Sequence, residues 1–196
     1  MEKDIERTFL ETLSRALVSL PFDLKVLLEG VSDPDLERDV RELAAGTVVY
    51  IINSKDGNVE PAIRHSEDVI LLRLALRKIL ADGGESAPAF RDRFAELYGH
   101  LEDDLSVFGQ ACGPEVIRWL ENKGPSLRRA VYAKKKIPQF VDDEEVGTFL
   151  YDEGLRFGTE YPITEKSLAG RLKQGQPVVD HLVRKWEQDK RKITQS

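Results

Sequence analysis

Apolar residues return at intervals of three and four along most of the chain, the spacing that gathers them on one face of an α-helix. The first such stripe is Ile5, Phe9, Leu10, Leu13, Ala16, Leu17 and Leu20. Pro21 is expected to end that helix or to start a short one over 22–28, which Gly30 would close. Asp33-Pro34 then reads as an N-cap with proline at the first helical position, and Asp35 and Glu37 suit the positive end of the helix dipole. From there Leu36, Val40, Leu43, Ala44, Val48, Ile51 and Ile52 predict a helix, because their spacing outweighs the β-branched run around Val48.

Asn53 to Asn58 is a stretch of turn formers. After Pro61, Glu67 and Asp68 open a segment containing Val69, Ile70, Leu71, Leu72, Leu74, Ala75, Leu76, Ile79 and Leu80. It is apolar around most of its circumference, which predicts the central helix, with Leu72 and Leu76 deepest. A Gly-rich loop at 82–87 follows. Less regular helices are predicted over 88–98, 101–108, 114–121 and 125–133. Pro138 breaks the chain, and Asp142 with Glu145 makes a capping-box pattern. Two last helices are predicted at 164–172 and 177–193, the second with the stripe Val178, Val179, Leu182, Val183 and Trp186.

These elements predict an all-α fold with no sheet larger than a hairpin. The expected architecture is an orthogonal multi-helix bundle of about eight or nine helices around a central helical hairpin, 34–52 and 67–81. The loop at 82–87 divides an N-terminal helical core, 1–81, from a C-terminal helical part, 88–196, the two packing as one continuous domain.

Composition narrows the function. Of 196 residues, 41% are hydrophobic and 33% charged, the balance of a folded globule and not of a disordered chain. The net charge of −6 opposes broad binding to nucleic acid or anionic lipid. A single cysteine, Cys112, rules out an intramolecular disulfide and a multi-cysteine zinc site, and reads as a small packed residue. Acids at positions 2 and 4 stand where a secretory signal would carry positive charge. The longest apolar runs, 48–52 and 69–72, fall far short of the roughly 20 residues a membrane span needs. A cytoplasmic protein without a span is expected.

Chemistry is sparse. The chain has no Gly-x-x-x-x-Gly-Lys or Gly-x-Gly-x-x-Gly loop, no Gly-x-Ser-x-Gly elbow and no His-Glu-x-x-His pair. One pattern occurs twice: His65-Ser66-Glu67-Asp68 and His100-Leu101-Glu102-Asp103. If the two segments converge, His65, Glu67, Asp68, His100, Glu102 and Asp103 would suit a divalent cation. The simpler reading, and the favoured one, has the acids serving the free amides of a helix start with histidine as a surface flank. Asp56-Gly57-Asn58 resembles the middle of a calcium loop, yet Ile52 and Ile63 stand where an EF-hand requires acids. Arg128, Arg129, Lys134, Lys135 and Lys136, near Trp119, Tyr132 and Phe140, form a basic cluster of the kind that tracks a phosphate backbone. In the C-terminal third, Phe149 and Trp186 fall on helical stripes. Phe157 and Tyr161, in the Gly158-containing passage 154–163, are expected on the surface as anchors for a protein partner.

Residues 36–80 resemble the YkvA-like family, a bacterial helical domain of unknown function. The likeness rests on an apolar helix from Arg41 through Leu43, Ala44, Ala45, Val48 and Val49 to Tyr50, on Asp56 and Pro61 in the turn, and on Glu67-Asp68 leading into the apolar helix to Arg77. Lys55 and Gly57-Asn58-Val59-Glu60 depart from the family's turn. The resemblance implies a helical hairpin and a bacterial source, and carries over no catalytic residues. The sequence as a whole leads to the expectation of a non-enzymatic interaction or regulatory adaptor, associating with a protein partner or with itself and needing no cofactor. A divalent-metal protein or enzyme, and a nucleic-acid binder acting through 128–136, are the alternatives.

Overall fold

The computed structural model describes residues 1–54, 57, 59–168 and 172–194. The helices are α1 (Lys3–Ser32), α2 (Arg38–Ile52), α3 (Pro61–Arg64), α4 (Ser66–Asp82), α5 (Ala87–Arg93), α6 (Ala95–Gly99), α7 (Leu101–Cys112), α8 (Pro114–Glu121) and α9 (Gly124–Leu127). A hairpin of β1 (Val131–Tyr132) and β2 (Lys135–Lys136) follows, then α10 (Ile137–Asp142), α11 (Glu144–Glu160), α12 (Glu165–Leu168) and α13 (Gln176–Thr194). The fold is all-α, and among the described residues this hairpin is the whole of the sheet. Lys55, Asp56 and Asn58, on which the turn and calcium-loop readings fall, lie outside the described residues, as do positions 169–171 of the helix predicted at 164–172.

Four boundaries differ from expectation, each for a physical reason. Pro21 does not end α1, which runs through it without interruption. A proline inside a helix lacks the N–H that would bond the carbonyl four residues back, here that of Leu17. That carbonyl instead accepts a hydrogen bond from the Tyr161 hydroxyl at 2.8 Å. Beyond the proline, Leu24, Leu27, Leu28 and Val31 continue the buried stripe, so packing keeps the helix going. Asp33-Pro34 caps no helix: the Asp33 carboxylate accepts from the Asp35 N–H at 3.1 Å and pairs with Arg93, and α2 starts later, at Arg38. The helix expected over 125–133 stops at Leu127, and a two-residue turn with positive φ at Ala133 and Lys134 makes a hairpin of the rest. Asp143, one residue past the expected cap, accepts from the Val146 N–H at 3.1 Å and starts α11.

One apolar cluster joins the two halves of the chain. Long α1 packs against α2, α4, α7 and α11, and α2 packs against α4. Phe9, Leu13, Leu17, Leu20, Leu72, Leu76, Phe108 and Leu150 are fully enclosed in this cluster. Two close approaches need glycine. A Cβ on Gly46 would lie 2.5 Å from the Leu127 carbonyl oxygen, where α9 sits on α2. A Cβ on Gly154 would strike Leu28 at 2.5 Å in the seam between α1 and α11.

Two outcomes follow from this packing. Leu76 has 0% exposure, so Leu76→Ala should lower unfolding free energy by about 2–5 kcal/mol in urea titrations. Tyr161→Phe orphans the Leu17 carbonyl and should cost about 1–2 kcal/mol. In a Pro21→Ala background residue 21 regains its N–H, so the same substitution should cost clearly less. A double-mutant cycle without that coupling would show that the two positions are unrelated.

Candidate functional site

Helix α4 opens on Ser66, Glu67 and Asp68, and both acids are only 1% exposed. Desolvated carboxylates must find partners inside the protein. Glu67 Oε1 accepts from the Tyr50 hydroxyl at 2.6 Å and lies 3.3 Å from Lys123 Nζ, while Oε2 accepts from Lys185 Nζ at 2.7 Å. Burial pushes the Glu67 carboxyl up, but Lys123, Lys185 and the hydrogen bonds from Lys185 and Tyr50 outweigh it and hold the group below its ordinary value. Burial and the nearby Glu67 charge push the Tyr50 phenol up. Lys123 also lies over the Trp119 ring at 4.3 Å, and the Trp119 indole N–H donates to Asp189 at 3.2 Å. Through Lys185 and Asp189 the cluster fixes α13 to the body of the protein.

Asp68 makes a different pair. Its Oδ2 lies 2.7 Å from Nδ1 of buried His65, whose Nε2 is 3.2 Å from Arg64 Nη2. A guanidinium only donates, so this network assigns the imidazole Nδ1–H as donor to Asp68 and Nε2 as acceptor from Arg64. Burial raises the Asp68 carboxyl, opposed by the His65 hydrogen bond. The rings of Tyr161 and Phe157 pack edge-on against His65, with centroids 5.1 and 5.9 Å away. These two residues, expected as exposed partner anchors, are therefore half-buried and turned inward, because His65 and the Leu17 carbonyl both need covering.

The second copy of the pattern has another fate. His100, Glu102 and Asp103 are exposed at the start of α7, and Glu102 reaches no closer than 3.8 Å to Arg77. The next residue, Asp104, is the buried one. It accepts from Arg73 Nε at 2.7 Å and pairs with Arg15, while Arg73 Nη2 lies 3.4 Å from Asp23, itself bonded by the Ser19 hydroxyl at 2.7 Å. Burial raises the Asp23 carboxyl, with Arg73 and Ser19 acting against it. Among the described residues no three His, Cys, Asp or Glu side chains come together as a set that could hold a metal ion, and the six candidates are divided between the interior and the surface. Sequence reasoning missed Tyr50, Arg73, Asp23, Asp104, Lys123 and Lys185. Arg73 gave the one local signal, a lone cation in an otherwise apolar stretch.

The basic cluster is also divided. Arg128 is clasped by Asp39 at 2.6 Å and Glu42 at 3.2 Å. Arg129, Lys134 and Lys136 are exposed and Lys135 is half-buried, the three lysines riding on the hairpin and its turn. The Cys112 thiol is buried and pushed up to about 12 by that burial, the behaviour of a packed side chain. No described helix is long and apolar enough to cross a membrane. With this geometry in view, no family model, curated protein or solved structure matches the chain.

The acid response of Glu67 can be measured. A carboxyl held low in the folded state contributes stability that is present above its unfolded value of 4.5 and is lost as pH falls through the lower folded value. Asp23 and Asp68, held high, act in the opposite sense. Glu67→Gln removes the buried carboxylate that Lys123 and Lys185 share, and should cost about 3 kcal/mol at neutral pH. The gap between variant and wild type should close as urea titrations move from about pH 6 to pH 3. A constant gap would mean that the Glu67 charge is not what holds the cluster.

Proposed function

We propose that this protein is a non-enzymatic cytoplasmic interaction or regulatory module, an adaptor that works by contact with a protein partner. One observation carries the reading. Phe22 is 61% exposed and Leu155 46% exposed, on two helices that pack side by side. Gly154 meets Leu28 and Gly158 meets Pro21, so α1 and α11 run antiparallel. The Tyr151 hydroxyl donates to Glu29 at 3.0 Å across one edge of that seam. Leu155 follows Tyr151 by one turn and Phe22 precedes Glu29 by two, which puts both on the same edge with Lys25 between them. Paired apolar side chains beside charged ones are the usual make-up of a contact patch. The buried charges of α4, by contrast, are engaged by groups on the helices around them. The likeness of residues 36–80 to the YkvA-like family belongs to the same reading, since it brings no reaction with it.

A second reading has its own observation. Arg129, Lys134 and Lys136 share the hairpin region with Val131, which is exposed beside them. A basic projection of this kind supports contact with a nucleic-acid backbone, and its mark would be affinity that falls steeply with salt.

Phe22→Ser with Leu155→Ser tests the first reading. Association, with a partner or with a second copy, should fall at least about tenfold in sedimentation or titration experiments, while melting temperature moves little because both side chains already face water. Association that survives the double substitution would remove this edge as the contact.

A further inference from the structure

The hairpin of β1 and β2 has two unlike faces. Val131 pairs with Lys136 and Tyr132 with Lys135, and residues directly opposite on paired strands share a face. Tyr132 is on the face turned to α11, where its ring stacks on Phe149 at 6.2 Å and its hydroxyl donates to Glu153. Val131 and Lys136 are exposed on the other face. At the tip Ala133 and Lys134 take positive φ, 48° and 66°, which closes the ribbon in two residues and leaves Lys134 standing at its end. Arg129 is exposed at the base. Arg128 is held by Asp39 and Glu42, and Arg156 by Glu153, but among the described residues no ion pair engages Arg129, Lys134 or Lys136.

We propose that this ribbon binds double-stranded DNA through its phosphate backbone, an assignment that rests on the nucleic-acid reading of the hairpin and names its ligand. Three features select the duplex. Single strands are held by aromatic rings on which their bases stack. The hairpin offers none: Tyr132 is tied down on α11, the Trp119 indole N–H is committed to Asp189, and Phe140 is 2% exposed. A two-stranded ribbon, its strands about 5 Å apart, is narrow enough for the roughly 12 Å major groove of B-form DNA. An anionic bilayer would need several apolar side chains to enter it, and Val131 is the one large apolar residue exposed on this projection. Lys134 and Lys136 are point charges, which neutralise phosphates without choosing a base, so the contact is independent of sequence.

The test titrates the full chain into a short fluorescein-labelled DNA duplex, and into one of its strands alone, with anisotropy as the readout. With no stacking platform, charge density decides, and the duplex should bind at least about fivefold tighter than the strand. Three cations on three phosphates should weaken duplex binding about fortyfold between about 50 and 200 mM salt. Lys134→Gln and Lys136→Gln should each lower the logarithmic salt slope by about 1. Lys135→Gln removes the same charge from the face against α11 and should leave the slope unchanged. Equal affinity for the single strand overturns the duplex assignment while leaving a nucleic-acid contact in place. No binding of either DNA form in low salt, binding of phosphatidylglycerol vesicles instead, or a slope that ignores Lys134 and Lys136 removes the nucleic-acid reading of the hairpin as well.

Discussion

Charge buried along α4 is the constraint on which the other elements depend. An apolar helix could be covered by almost any greasy partner. This one carries Glu67, Asp68 and Arg73 into the interior, and each must meet a complementary group or leave an uncompensated charge, at a cost of several kcal/mol. Tyr50 on α2, Lys123 ahead of α9 and Lys185 on α13 answer Glu67. His65 answers Asp68, while Asp23 on α1 and Asp104 on α7 answer Arg73. The helices around α4 are thus selected by polarity as well as by shape. Buried ion pairs seldom add net stability over well-packed apolar residues. We attribute their role here to specificity: a helix seated in the wrong register would leave a carboxylate or the guanidinium alone.

The stripes that predict α1, α2, α4 and α13 are visible in the chain because they are local, and each element has enough turns for a period of 3.6 to stand out. Pro21 and the 125–133 segment show where local reading stops. Nothing near Pro21 says that a tyrosine 140 positions later supplies the hydrogen bond its ring removes. The hairpin lacks the Asn-Gly or Asp-Gly signal that such turns normally show, since Ala133 and Lys134 occupy the positions with positive φ. In both places tertiary contacts override a sound local rule.

The candidate site was half legible for a related reason. His-x-Glu-Asp occurs twice, and both copies begin a helix, as acids in a first turn favour. The simpler reading suits His100, Glu102 and Asp103. It fails for His65, Glu67 and Asp68, because α4 is enclosed on all sides from Ser66 to Leu76 whereas α7 keeps one face in water. The difference between the copies lies in what surrounds each helix. The apolar circumference of α4 carries that information, since acids starting a helix with no polar face have to go inside with it.

Two kinds of attachment follow. The α1–α11 seam is held by close apolar contact, with Gly154 admitting Leu28, and that contact changes little with pH or salt. The attachment of α13 combines two modes: Val178 and Leu182 enter the core, while Lys185 and Asp189 meet Glu67, Lys123 and Trp119. Lys123 is shared between Glu67 and Asp189, so the carboxylate on α4 and the one on α13 hold the same cation. Loss of either charge leaves that lysine with a single carboxylate, which ties the seating of α13 to the ionisation of a residue at the start of α4. The protein's C-terminal helix is therefore placed by the same buried carboxylate that organises its centre.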